Sequence, residues 1–382
     1  MKRLSLFISM LLVLTTFLAA CGEPEEDADQ GDSEEVLDEN DVTDEHDVLE
    51  VYTTLYPLED FINRIGGEYV DVHNIVPIGS DAHTFEPTAN QMIEIAEADL
   101  FIYNGAGFEG FADQVKETVD SHDVKVLTAA DGIDLISYDH DHDHDHDHDH
   151  GHEEDDHDHD HDNGHGHEED DHDHDHDNGH GHEEDDHDHD HDSGDGHEED
   201  DHDHHHEHGD EDPHVWLDPV RSIELAENIK ASLIEILPDL EEEFETNFEQ
   251  LKEDLEKLDE EFTNFTNEMT KDTIVVSHAG YGYWEDRYGI HQIGIAGISP
   301  TNEPSISQIQ DIITHMDENE IEYVMFEQNI PVNIAETVRD EVGAEALWIH
   351  NLEALTEEDV EEGADYFSLM RDNLETLKTA LQ

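Results

Sequence analysis

Four residues sit where a strand-like run gives out, and all four carry metal-binding side chains. His83 lies in "SDAHTFEPT" after "HNIVPIG", His214 in "DPHVWLDP", His278 closes "TIVVSH" and Glu327 closes "EYVMFE". Each histidine alone reads as a hydrogen-bonded loop residue. Taken together, three imidazoles and a carboxylate make a nitrogen and oxygen shell that Zn²⁺ accepts in tetrahedral geometry, the carboxylate cancelling part of the ion's charge. In open α/β sheets, sites form beyond the carboxyl ends of the strands, which is where all four fall. A zinc hydrolase, with three histidines on the metal and Glu327 as general base, uses the same residues. The chain has neither an HExxH pair nor a nucleophile elbow, so holding the ion is favoured over turnover. Of the other histidines, His73 lies within a strand pattern, His291 starts another and His315 sits on a helix. His350, ending the last strand, is the one of these that could approach the same place.

The elements that must present these residues alternate. "VYTTLY", "YVDVHNIVP", "LFIYN" and "VKVLTA" read as strands, with helices "PLEDFINRIGG", "NQMIEIAEADL" and "GFADQVKETVD" between them. The rhythm returns in "TIVVSHAG", "IHQIGIAG", "EYVMFEQ" and "AEALWIH", and "YFSLMRDNLETLKTAL" closes the chain as a helix. Strands alternating with helices predict an α/β fold of two lobes, each with a parallel sheet and right-handed crossovers. Between the lobes, Phe244, Phe248, Leu251, Leu255, Leu258, Phe262 and Phe265 step by four and three residues along one face of a long helix. Such a stripe suits either a coiled-coil dimer seam or a rigid helix packed along both lobes of its own chain. Three heptads favour the second reading and a monomer.

Among 382 residues, 26 of the 35 histidines fall between Asp139 and Asp212, in a His/Asp tract whose "GHEEDDHD" phrase restarts at Gly151, Gly166, Gly181 and Gly196. With no apolar side chain to offset the entropy of ordering, the tract is expected to be disordered. His140, His142, His144, His146, His148 and His150 open it, and His202, His204, His205, His206 and His208 close it, six residues before His214. An inert repeat expansion is one reading. The other is a low-affinity zinc collector, whose ions are held close enough to a cleft site for transfer to become intramolecular.

The formal net charge is −94. Outside the tract and the acidic stretch from Gly22 to Glu50, 56 acidic residues still face 12 basic ones. Such a surface repels nucleic acid and anionic lipid and attracts cations; it also suits high external salt. The opening "MKRLSLFISMLLVLTTFLAAC" has the basic start and apolar run of an export signal. Leu18-Ala19-Ala20-Cys21 fits a lipobox, so Cys21 is expected to become the lipid-modified N-terminus, anchoring the chain to the outer face of a cell membrane. With one cysteine, no internal disulfide can form.

"VPIGSDAHTFEPTANQM", "HVWLDP", "VVSHAGYGYWEDRYG" and "ISPTNEPSISQI" resemble, in order, the signature segments of the zinc-type cluster A-I solute-binding proteins of ABC transporters, the ZnuA/AdcA group. The resemblance spans roughly Val51 to Gln382. It implies two (β/α)₄ lobes bridged by a long helix and one zinc in the cleft. It carries the family ligands onto His83, His214 and His278, with Glu327 taken as the fourth although its flank "FEQNIPVN" varies in such proteins. Manganese-type relatives carry a carboxylate in place of the third histidine, so His278 speaks for zinc. Ala82 departs from the proline common before the first histidine, and no additional zinc domain is expected after the second lobe. The implied function is a high-affinity extracytoplasmic zinc receptor, not an enzyme, serving an ABC permease and its ATPase, in a Gram-positive cell. A surface metal buffer or adhesin is the alternative. The expected boundaries are a leader over 1–21, a disordered spacer over 22–50, a first lobe over 51–240 containing the loop 139–212, a linking helix over 241–270 and a second lobe over 271–382.

Overall fold

A computed structural model describes residues 48–138 and 211–382. Leu49–Thr53 forms β1, Tyr56–Gly66 α1, Val70–Asn74 β2, Ala89–Glu97 α2, Leu100–Tyr103 β3, Ala112–Val119 α3 and Lys125–Thr128 β4. Leu49, Val51 and Thr53 face inward from β1, and all of β3 is buried. Continuous burial of β3 is expected of a strand covered on both faces, whereas the alternation along β1, with Glu50 exposed, leaves part of one face open to solvent. The parallel order is β2-β1-β3-β4. The first strand therefore starts at Leu49, two residues inside the expected spacer, because Leu49 pairs with Val70 and is buried.

After the undescribed segment the chain re-enters at Glu211, passes through a 3₁₀ turn at Val215–Leu217 and runs into Pro219–Ile236, α4. The Asp218 carboxylate caps α4 by accepting from the N–H groups of Val220 and Arg221, and Pro219 fills the first helical position, where no N–H is needed. Glu241–Thr266 follows as α5. Its seven-residue apolar stripe is wholly buried within the chain. It packs on α1 and α4 on one side. The stripe is thus consumed internally and offers no seam to a second copy.

The second sheet repeats the plan with Thr273–His278 (β5), Gly282–Tyr288 (α6), His291–Ala296 (β6), Ile306–Glu318 (α7), Tyr323–Glu327 (β7), Asn333–Val342 (α8) and Glu345–Ile349 (β8). Glu357–Glu362 (α9) and Tyr366–Leu381 (α10) complete it. The parallel order β6-β5-β7-β8 matches that of the first sheet element for element. Here α5 packs on α6 and α10, so one helix is common to both lobes. Capping boxes at Thr88, Ser305, Thr356 and Asp365 set the starts of α2, α7, α9 and α10. No described helix is long and apolar enough to cross a membrane.

Candidate metal centre

His83 stands in the loop after β2, His214 just before the buried 3₁₀ turn, and His278 is the last residue of β5. Their Nε2 atoms converge. His214 Nε2 lies 3.4 Å from that of His83 and 3.2 Å from that of His278. The fourth group is a carboxylate from the loop after β8: Glu353 Oε1 lies 3.1 Å from His83 Nε2, 3.7 Å from His214 Nε2 and 3.8 Å from His278 Nε2. All four donor atoms fall within 4.8 Å of one another. A tetrahedral zinc with bonds of about 2.0–2.1 Å sets its ligand atoms about 3.3–3.4 Å apart along each edge. The observed spacings bracket that value.

Glu327, expected as the fourth ligand, points elsewhere. Its Oε1 lies 2.7 Å from Nδ1 of His278, on the side of the ring away from the cluster. It also accepts from the Tyr281 hydroxyl at 3.0 Å, the His278 backbone N–H at 3.0 Å and the Ser277 hydroxyl. β7 neighbours β5, so a carboxylate at the end of β7 meets the near edge of an imidazole at the end of β5. To reach the Nε2 side the carboxylate must come from the far side of the cluster, where the loop after β8 stands. The backbone N–H of Tyr56 donates to the Glu353 carbonyl at 3.1 Å, and that of Gly79 to the Leu355 carbonyl at 2.8 Å. First-lobe contacts thus aim a second-lobe residue.

Asp212 also departs from expectation, since it closes the site instead of belonging to a disordered loop. Its backbone N–H donates to Ile136 O at 2.8 Å, its side chain is buried, and its Oδ1 lies 2.8 Å from His214 Nδ1. His214 and His278 therefore each have a carboxylate against Nδ1. Hydrogen-bond geometry at the Asp212–His214 contact pins the Nδ1–H tautomer of His214 and leaves its Nε2 lone pair for the cluster. Gly280 leaves room for the pair: a Cβ there would stand 2.7 Å from His278 Nε2.

Electrostatics follow from burial. His214 and His278 are fully buried, and of the four the His83 side chain keeps the most exposure, 6%. Phe108 packs its ring 4.6 Å from that of His83. Burial, then the neighbouring His278 and His83, push the His214 pKa well below its ordinary value. For His278 burial acts downward too, but Glu327, Glu353 and Asp212 outweigh it and raise the pKa. Glu353 is held at about 2: burial opposes ionisation, and His83, His278 and His214 overcome it. Burial raises Asp212 to about 7.

His350 stays out of the cluster: its Nδ1 accepts from Leu352 N–H at 2.8 Å and its Nε2 faces Asp359 at 3.2 Å. His291 pairs with Glu285, and His73 lies on the outer face of the first sheet. Cys21 and the tract histidines from His140 to His208 lie outside the described residues.

The sequence family described as "ZnuA: Zinc-uptake complex component A periplasmic" matches residues 51–380. The zinc-binding lipoprotein AdcA of Streptococcus pneumoniae is 30% identical over 378 residues, covering 99% of this chain and 61% of the relative. This chain thus spans less than two thirds of that relative's length. The high-affinity zinc uptake system protein ZnuA of Bacillus subtilis is 28% identical over 336 residues, with 87% of this chain and 88% of the relative covered. Among solved structures, the Zn(II)-bound ZnuA-like domain of S. pneumoniae AdcA superposes with a TM-score of 0.62 at 27% identity, over 87% of this chain and 99% of that domain.

Proposed function

The chain belongs to the zinc-uptake complex component A family, and from that premise we propose that it is an extracytoplasmic receptor that captures Zn²⁺ between its lobes and delivers it to an ABC permease powered by its ATPase. The observation carrying this reading is the meeting of three Nε2 atoms and one carboxylate oxygen at tetrahedral spacing. His83, His214, His278 and Glu353 hold the ion. Glu327 and Asp212 orient His278 and His214 from behind. Four protein donors fill a tetrahedral shell and leave no position for an activated water, which favours capture and release over hydrolysis. Two donors come from each lobe, so separating the lobes dismantles the shell and frees the cargo. The lipobox at Cys21 anchors the receptor, a reading supported by the word lipoprotein in the name of the AdcA relative. The His/Asp tract, which lies outside the described residues, gathers zinc weakly.

Metal analysis of purified parent and His278→Ala, after dialysis against a mild chelator, tests the assignment. The parent is expected to keep one tightly held zinc and the variant to lose it. Full zinc occupancy in a folded variant would refute the ligand set.

A further inference from the structure

A second group of metal-type donors lies on the outer face of the first sheet, independent of the cleft. The parallel register of β1 and β2 places Glu50 beside Asp71 and Tyr52 beside His73. Side chains two apart share a face of a strand, so Glu50, Asp71 and His73 project together. His73 Nε2 lies 3.1 Å from Glu50 Oε2 and 3.8 Å from Asp71 Oδ1, and the three donors fall within 4.8 Å of one another. Their side chains are 42%, 53% and 60% exposed respectively, so an ion can arrive without rearrangement. Tyr52 packs its ring 4.9 Å from that of His73 and restrains it.

The surroundings favour a cation. Among the described residues, neither Glu50 nor Asp71 has a lysine or arginine partner. Glu94 and Glu97 of α2 add to the same field: after burial, the charges of Glu94, Glu50, Asp71 and Glu97 raise the Tyr52 pKa. The imidazole separates this group from an ordinary acidic patch, because it supplies the nitrogen donor that borderline ions select and Ca²⁺ or Mg²⁺ do not.

We propose that Glu50, Asp71 and His73 form a second, surface site for a transition-metal dication of the zinc class, with water completing the coordination. An open three-donor site exchanges its ion readily, unlike the closed cleft.

The test is site-resolved. The full-length protein is treated with diethyl pyrocarbonate across a series of buffered free-zinc concentrations, and acylation of His73 is read by peptide mass spectrometry. His291 is the internal control: its side chain is 55% exposed but meets the single carboxylate of Glu285. Zinc is expected to protect His73 saturably and to leave His291 reactive over the same range. In the double variant Glu50→Gln, Asp71→Asn, the zinc needed to protect His73 should rise by at least about ten-fold, since loss of even indirect ligand support costs that much. Three results would overturn the proposal: equal protection of His73 and His291, equal protection by Mg²⁺, or protection unchanged in the double variant. The cleft assignment can fail without affecting these outcomes, because none of its residues is read.

Discussion

At the residue scale, the two glutamates of the site have opposite roles that their chemistry alone does not distinguish. Glu353 faces the Nε2 atoms, whereas Glu327 accepts from Ser277, His278 and Tyr281 and stands at His278 Nδ1. On the proposed ligand set, removing the first deletes a ligand and leaves the positive ion less compensated; removing charge from the second only weakens the orientation and basicity of a ligand. Glu353→Ala is therefore expected to lower zinc affinity more than Glu327→Gln, which should lose about 10- to 100-fold, as support of this kind typically contributes. Competition with a chelator of known affinity measures both. A larger loss for Glu327→Gln in folded protein would exchange their roles. The sequence led to His83, His278 and Glu327 because each follows a strand pattern, and to His214 because "DPHVWLDP" follows the His/Asp tract. Glu353 was not singled out. It lies four residues past β8 in "HNLEALT", and its aim depends on the Tyr56 and Gly79 contacts across the lobes, which no local pattern encodes.

The element that most constrains the lobes is α5, and its packing was readable because a period of seven residues needs no tertiary knowledge to locate a helix face. Its ends were less legible: the expected span reached residue 270, while the helix stops at Thr266 and the chain turns so that Thr270 N–H donates to Leu381 O at 2.8 Å. The boundary of the His/Asp tract was misread for a related reason. Composition marks Glu211 and Asp212 as tract, yet Asp212 is bound to Ile136 O and to His214. Leu258 lies mid-stripe with no exposure. Leu258→Ala leaves a cavity that rigid neighbours cannot close and is expected to cost about 2–5 kcal/mol of unfolding free energy. A denaturant titration of zinc-free protein measures it. A loss below about 1 kcal/mol would mean that α5 is loosely seated and not a shared spine.

At the scale of the whole molecule, the proposed zinc capture is expected to be coupled to protons, because the charges around His278 favour its protonated form. The carboxylates of Glu327, Glu353 and Asp212 raise the His278 pKa in the zinc-free fold despite burial. A raised folded-state pKa contributes stability that is fully present below the unfolded value, near 6.5, and is lost as pH rises through the folded one. The empty receptor therefore gains from low pH at this residue. The zinc-loaded receptor cannot, since the metal takes the Nε2 lone pair that the proton would occupy. Zinc affinity is thus expected to climb by about one decade per pH unit for each proton displaced, then flatten above the His278 pKa. Correspondingly, the gap in melting temperature between loaded and empty protein should widen as pH is raised from about 5.5 to 7.5, the range in which histidines titrate. Differential scanning calorimetry at matched free zinc reads that gap. A gap that stays constant or narrows would mean that His278 is already neutral before zinc arrives, and that Glu327 at its Nδ1 serves only to orient the ring.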